Sequence, residues 1–250
     1  MLWGTFSLTH IITLFLSAAM IVGLYFILKN KSEKVKTIVL FVLSLTGACA
    51  IVWNLVTWGS PLEYLPFHMC SITAMILPFA VLTKNNVLGN LLLLWCLGAL
   101  LALVVNFAQA NYEIFSMTFI IYYFPHTFEF GIPILMFAFG MVKFRPKYIL
   151  STLALTFIIY TGVHLINVAV NDYCLTNNVC NPNTGDLIQV NYMYSITPAN
   201  PVLQLFWMVI PCAYWYMYLG ILVIAIYLCA IWLGWWLYGK RKQKRESAQA

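Results

Sequence analysis

KNKSEKVKTIVLFVLSLTGACAIVWNLVTW, residues 29–58, sets four lysines before Thr37–Trp58, a stretch that carries no charge at all. A helix of roughly 20 residues crosses a hydrocarbon core of about 30 Å, and this stretch is long enough. The lysines mark the side from which it starts, because basic residues collect in cytoplasmic loops. Working outward, the same alternation recurs. Apolar runs cover Phe6–Leu28, Thr37–Trp58, Leu65–Thr83, Val87–Phe107, Thr118–Val142, Tyr148–Val170 and Leu203–Trp236. Between them the basic residues fall at Lys29–Lys36, Lys84, Lys143–Lys147 and Lys240–Arg245.

Composition agrees. Of the 250 residues 63% are hydrophobic and only 8% are charged, against about 25% charged in a soluble domain. The apolar runs lack the period-2 alternation of lipid-exposed strands, which excludes a membrane barrel. The sequence therefore predicts an all-α polytopic membrane protein, one domain forming a seven-transmembrane-helix bundle. An odd number of spans places the N-terminus out and the C-terminus in. All 13 basic residues then lie inside. Glu63, Glu113, Asp172 and Asp186 lie outside, and Glu129 alone falls within a span. The first segment has no basic n-region and no small-residue cleavage site, so it reads as a retained helix in the plasma membrane. Residues 237–250 form a basic cytoplasmic tail suited to anionic lipid rather than to nucleic acid. Pro211 marks a break near the start of the last run, which is too long for one straight crossing.

The outer loop, residues 171–202, holds Cys174 and Cys180. They are candidates for a disulfide on the oxidising face, the alternative being two unpaired thiols. Within the spans, Cys49, Cys96, Cys212 and Cys229 read as small apolar fillers.

Polar side chains at membrane depth are costly unless paired, so each is a functional candidate. The threading gathers them in the outer half: His10, Asn54, His68, Cys70, Asn106, His126, Glu129, His164 and Asn167. A polar pocket open to the outer leaflet is the expectation. Two stretches could carry chemistry. Leu65-Pro66-Phe67-His68-Met69-Cys70-Ser71 puts His68 and Cys70 on different faces of a helix. Phe124-Pro125-His126-Thr127-Phe128-Glu129 puts His126 and Glu129 on one face at i, i+3. A carboxylate bonded to one imidazole nitrogen would orient the ring as a base, and a Cys70 thiol across the bundle would complete a nucleophile–base–orienter set. Each of these side chains could instead serve packing alone. A metal site of histidines with Glu129 is the weaker alternative, because no HxxxH or HExxH pair occurs. No cofactor is implied.

Three motifs together resemble the YwaF-like family of bacterial integral membrane proteins. They are Leu65-Pro66-Phe67-His68-Met69-Cys70, Tyr122-Tyr123-Phe124-Pro125-His126 with Ile132-Pro133, and Asn191-Tyr192-Met193-Tyr194. The likeness runs from about Trp53 to Tyr218. That family is distantly similar to the animal transmembrane protein 164 family, phospholipid acyltransferases that use a membrane-embedded cysteine and histidine. The resemblance implies His126 as that histidine, with Pro133 downstream, and Cys70 as the cysteine. Glu129 has no counterpart in the animal pattern, and His68 belongs to the bacterial motif alone.

The leading expectation is an acyltransferase or transacylase acting on glycerolipids, with Cys70, His126 and Glu129 as the reacting set. His68, His164, Asn167, Asn54, Asn106 and His10 would bind a phospholipid or lysolipid substrate. The rival is a non-enzymatic transporter or lipid- or small-solute-binding protein using the same pocket. Against transport stand the absence of a visible repeat, the odd helix count and the one-sided pocket. A receptor-like seven-helix protein fits the topology but has short cytoplasmic loops.

Overall fold

A computed structural model describes residues 1–145, 147–199 and 201–247, apart from the side chains of Trp235 and of residues 242–247. The end of the predicted basic tail, 248–250, lies outside the described residues. Among the described residues the chain forms eight α-helices and no strand: α1 (Leu8–Leu28), α2 (Glu33–Thr57), α3 (Met69–Thr83), α4 (Asn86–Val104), α5 (Met117–Ala138), α6 (Lys147–Thr176), α7 (Pro201–Val209) and α8 (Tyr218–Ser247).

Five helices are long and apolar enough to cross a membrane: α1, α2, α4, α6 and the run Trp215–Arg241 that includes most of α8. The seven predicted crossings differ from this in two places. α3 is apolar but has only 15 residues, about 22 Å of helix. α5 has 22 residues, but Tyr122, Tyr123, His126 and Glu129 dilute its apolar character.

Several boundaries also move. The third apolar run begins at Met69 rather than Leu65, because Pro61–Tyr64 form a 3₁₀ turn and Leu65 is extended. α4 stops at Val104, α5 at Ala138, and α6 continues to Thr176. The last run is broken more deeply than Pro211 alone suggests. α7 has nine residues, and Tyr214 takes a positive φ of 67° before α8 begins.

α5 is the hub, packing on α1, α2, α3 and α4. Its residues Ile132, Leu135 and Met136 meet Ile21, Leu40, Leu77 and Leu92 in the largest buried cluster. Large apolar side chains on the outer helices, such as Phe15, Val56 and Leu150, are more than 70% exposed, as lipid-facing residues must be. α8 is the extreme: only 6% of its apolar window is buried.

The two ends of the bundle are chemically distinct. At one, Lys84 pairs with Glu33, and the loop before α6 is tied to α4. Asn86 Oδ1 accepts from the Lys143 amide at 2.6 Å, and Asn90 Nδ2 donates to the Lys143 carbonyl at 3.1 Å. Three of the basic clusters thus lie together at this lysine end. At the opposite end, residues 1–4 pair with the segment after α4. The Trp3 amide donates to Tyr112 O and the Gly4 amide to Ala110 O, both at 2.8 Å. Trp3 is fully buried there, its Nε1 donating to Thr13 Oγ1 at 2.8 Å.

The α2–α3 seam closes on Gly47. A Cβ at this position would lie 2.6 Å from the Ala74 Cβ, 3.3 Å from its Cα and 3.2 Å from a Glu129 carboxylate oxygen. The neighbour is helix backbone and cannot swing aside. Gly47→Val is therefore expected to destabilise the protein by about 1–3 kcal/mol. Thermal melting in detergent reads it, and an unchanged midpoint would mean that the seam opens freely.

Candidate functional site

The site is built around the middle of α5. Pro125 has no N–H, so the Ile121 carbonyl loses its helical donor one turn before His126. Helical side chains tilt toward the N-terminus, and His126 follows that rule. Its ring stacks on Tyr122 with centroids 4.2 Å apart, and its Nδ1 lies 2.7 Å from the Tyr122 carbonyl. A carbonyl only accepts, so Nδ1 carries the proton. Among the described residues the Nε2 lone pair then has no hydrogen-bond partner, on a ring that is 8% exposed.

The structure corrects one expectation here. Tyr122, not Glu129, orients His126. Glu129 turns away into the α2–α3 seam, where Gly47 leaves room for its carboxylate. There it is 3% exposed, and among the described residues its Oε2 has no hydrogen-bond partner.

Cys70 is the second residue of α3 and partly buried. It lies within electrostatic reach of Glu129, Tyr122 and Tyr194. Among the described residues no hydrogen bond links Cys70, His126 and Glu129 to one another. What joins their neighbourhoods is Tyr122, stacked on His126 and in reach of both Cys70 and Glu129. Tyr122 also donates to Ala102 O on α4 at 3.0 Å. The sequence places Tyr122 in one motif with His126, and its i, i+4 spacing brings the two rings to one face.

His68 caps α3 without a side-chain hydrogen bond, its ring 5.6 Å from that of Tyr192 and 5.4 Å from that of Tyr194. It faces an open cleft of about 390 Å³, shared with Asn54, Glu63, Tyr64, Ser71 and Tyr192. Glu63 there accepts from Asn181 Nδ2 at 2.6 Å. Neither Cys70, His126 nor Glu129 lines the cleft. A second, apolar cavity of about 300 Å³ lies toward the lysine end, between Leu93, Ile134, Phe137, Ala138 and Ile231.

Three predicted binding residues make hydrogen bonds within the fold. Asn167 is fully buried, donating to Tyr192 O and Ser195 Oγ at 2.8 Å and accepting from the Tyr192 amide at 2.9 Å. His164 Nδ1 meets the same Ser195 hydroxyl at 3.0 Å. Both side chains hold the segment before α7 in place. His10 is also fully buried, its Nδ1 accepting from the Phe6 amide at 2.9 Å and its Nε2 lying 2.7 Å from Leu103 O. Backbone occupies both nitrogens, so the ring latches the N-terminal segment to α4. Asn106, two residues past α4, is fully buried, and among the described residues neither side-chain polar atom has a partner.

Cys174 and Cys180, the predicted disulfide candidates, are free thiols. Cys174 is packed among Tyr160, Val163, Ile188 and Tyr192, whereas Cys180 is exposed beyond the turn at Asn177–Asn178. Burial in an apolar cluster separates the first from the second.

Outside the helices, burial pushes the Tyr192 phenol up to about 12 and raises that of Tyr194 as well. Both hydroxyls are donors at neutral pH. Residues 5–246 match the model of the TMEM164 family. No curated protein and no solved structure matches the chain.

Proposed function

The chain belongs to the TMEM164 family, and from that premise we propose that it is a membrane-embedded acyltransferase or transacylase acting on glycerolipids. The observation that supports it most is the condition of His126: Nδ1 fixed on a carbonyl, Nε2 unengaged, and the ring stacked on a tyrosine that interacts electrostatically with Cys70. A neutral imidazole with one free lone pair is what a general base needs.

In this reading Nε2 takes the Cys70 proton, and the sulfur attacks the carbonyl carbon of a phospholipid ester. The C–O bond to the glycerol oxygen breaks, and the lysolipid leaves with the proton from His126. A second hydroxyl then gives its proton to His126 and attacks the thioester; the C–S bond breaks, and the Cys70 sulfur takes that proton back from His126. His68 and Asn54 meet the head group in the cleft. The apolar cavity at Ile134–Phe137 lies about 12–17 Å down α5 from His126, comparable with half of a core of about 30 Å. It suits the distal part of an acyl chain. The loop end faces the exterior of the plasma membrane, as the lysine clusters at the other end favour.

The test is direct. Purified protein in vesicles containing phospholipid with an alkyne-tagged acyl chain should gain a hydroxylamine-labile tag at Cys70 and pass it to added lysophospholipid. Transfer that persists undiminished in Cys70→Ala would overturn the thioester route. One observation favours a binding protein instead: the polar cleft contains neither Cys70 nor His126. Saturable lysophospholipid binding without any transfer would decide for that reading.

A further inference from the structure

The segment before α7 is held with unusual completeness. Asn171 Oδ1 accepts from the Val190 amide at 2.7 Å, and its Nδ2 donates to Val190 O at 2.9 Å. Asn167 takes both backbone groups of Tyr192. The Tyr214 amide donates to Ser195 O at 2.7 Å, and the Tyr216 hydroxyl donates to Tyr194 O. The Tyr192 hydroxyl reaches across to Leu62 O. His164, Asn167 and Asn171 follow one another at i, i+3, i+7, a single stripe of α6 facing this segment.

These bonds enforce a conformation that the residues would not choose. Met193 and Tyr194 have φ of 50° and 55°, successive left-handed residues without a glycine between them. Such positions are strained and persist only where the surroundings over-determine them. The result is the placement of one side chain. The Tyr194 ring is turned onto His68, 5.4 Å away, with Cys70 and Tyr122 in electrostatic reach of its phenol. The loop is held by its backbone carbonyls and amides, and among the described residues the Tyr194 hydroxyl has no hydrogen-bond partner.

We propose that Tyr194 is a further catalytic residue, whose phenol O–H donates to the oxyanion formed when the Cys70 sulfur adds to an ester carbonyl. This rests on the acyl-transfer reading. As the S–C bond forms, the carbonyl π pair moves onto oxygen, and the Tyr194 hydroxyl hydrogen-bonds that oxygen without giving up its proton. Collapse restores the carbonyl and expels the glycerol oxygen, protonated by His126. A donor fixed in advance is effective because no reorganisation is needed as charge develops.

The experiment compares acyl transfer by wild-type protein and Tyr194→Phe in vesicles of phosphatidylglycerol with added lysophosphatidylglycerol. Removing one oxyanion donor is expected to lower kcat by about 10²–10³-fold with KM unchanged. The melting midpoint should not move, because only the backbone of Tyr194 holds the loop. A Tyr194→Phe enzyme with wild-type kcat overturns the assignment while leaving the acyl-transfer reading intact. Wild-type protein that transfers nothing overturns both. If Tyr194→Phe does not fold, a fluorinated tyrosine at 194 keeps shape and donor but ionises at lower pH. Its alkaline loss of kcat should then shift to lower pH, with His68, Cys70, Tyr122 and Tyr216 unchanged around it. An unshifted limb overturns the proposal.

Discussion

With His126 replaced by alanine, kcat for acyl transfer is expected to fall by about 10²–10⁴-fold, the usual contribution of a positioned general base. The companion variant His126→Asn separates chemistry from structure. Its carboxamide can still donate to the Tyr122 carbonyl, which His126 Nδ1 engages at 2.7 Å, but it offers no basic lone pair. Both variants should lose activity alike, and His126→Asn should keep the wild-type melting midpoint. Stopped turnover with an unaltered fold places the loss at Nε2. If His126→Asn works at the wild-type rate, the ring serves packing alone and another group must take the thiol proton.

Trp3→Ala carries the largest expected stability effect, about 3–5 kcal/mol for a large buried aromatic. Trp3 is fully buried, with its ring edge-on to His10, Phe119, Tyr122 and Tyr123 at 5.2–6.3 Å. Its loss opens a void where the N-terminal segment, α1 and α5 meet. Trp3→Phe should recover most of the packing but not the Nε1 bond to Thr13, leaving a deficit of about 0.5–1.5 kcal/mol. Denaturation in mixed micelles measures both. Equal midpoints for wild type and Trp3→Ala would show that this end of the bundle contributes nothing to stability. Because Trp3 also touches Tyr122, the alanine variant is expected to slow transfer as well.

The crossing helices and the clustering of lysines at one end were legible in the sequence, because both follow from local apolarity and charge. Boundaries were less so. Leu65–His68 is as apolar as a helix start, yet Pro66 disfavours helix in the residue before it, and α3 begins at Met69. At the site, Cys70, His126 and Glu129 were named from depth and residue type. The bond expected between His126 and Glu129 was not there. Spacing of i, i+3 gives a shared face but not a rotamer, and the glycine that draws Glu129 aside belongs to another helix. The roles of His164 and Asn167 were hidden for a related reason. Their partners lie 25–31 residues away, in a segment with no periodic pattern.

The run Trp215–Arg241 has 27 residues, about 40 Å of helix at 1.5 Å per residue. In an apolar slab of about 30 Å the surplus length either projects past the hydrocarbon or is taken up by tilt. The helix is fixed near its head by contacts with the turn at Trp215–Met217. Where tilt takes up the surplus, Ile231 sits partway along a strut whose angle follows bilayer thickness. In a thinner sheet of lipid the strut lies flatter, and the spacing between Ile231 and its neighbours Leu93 and Ile134 changes with it.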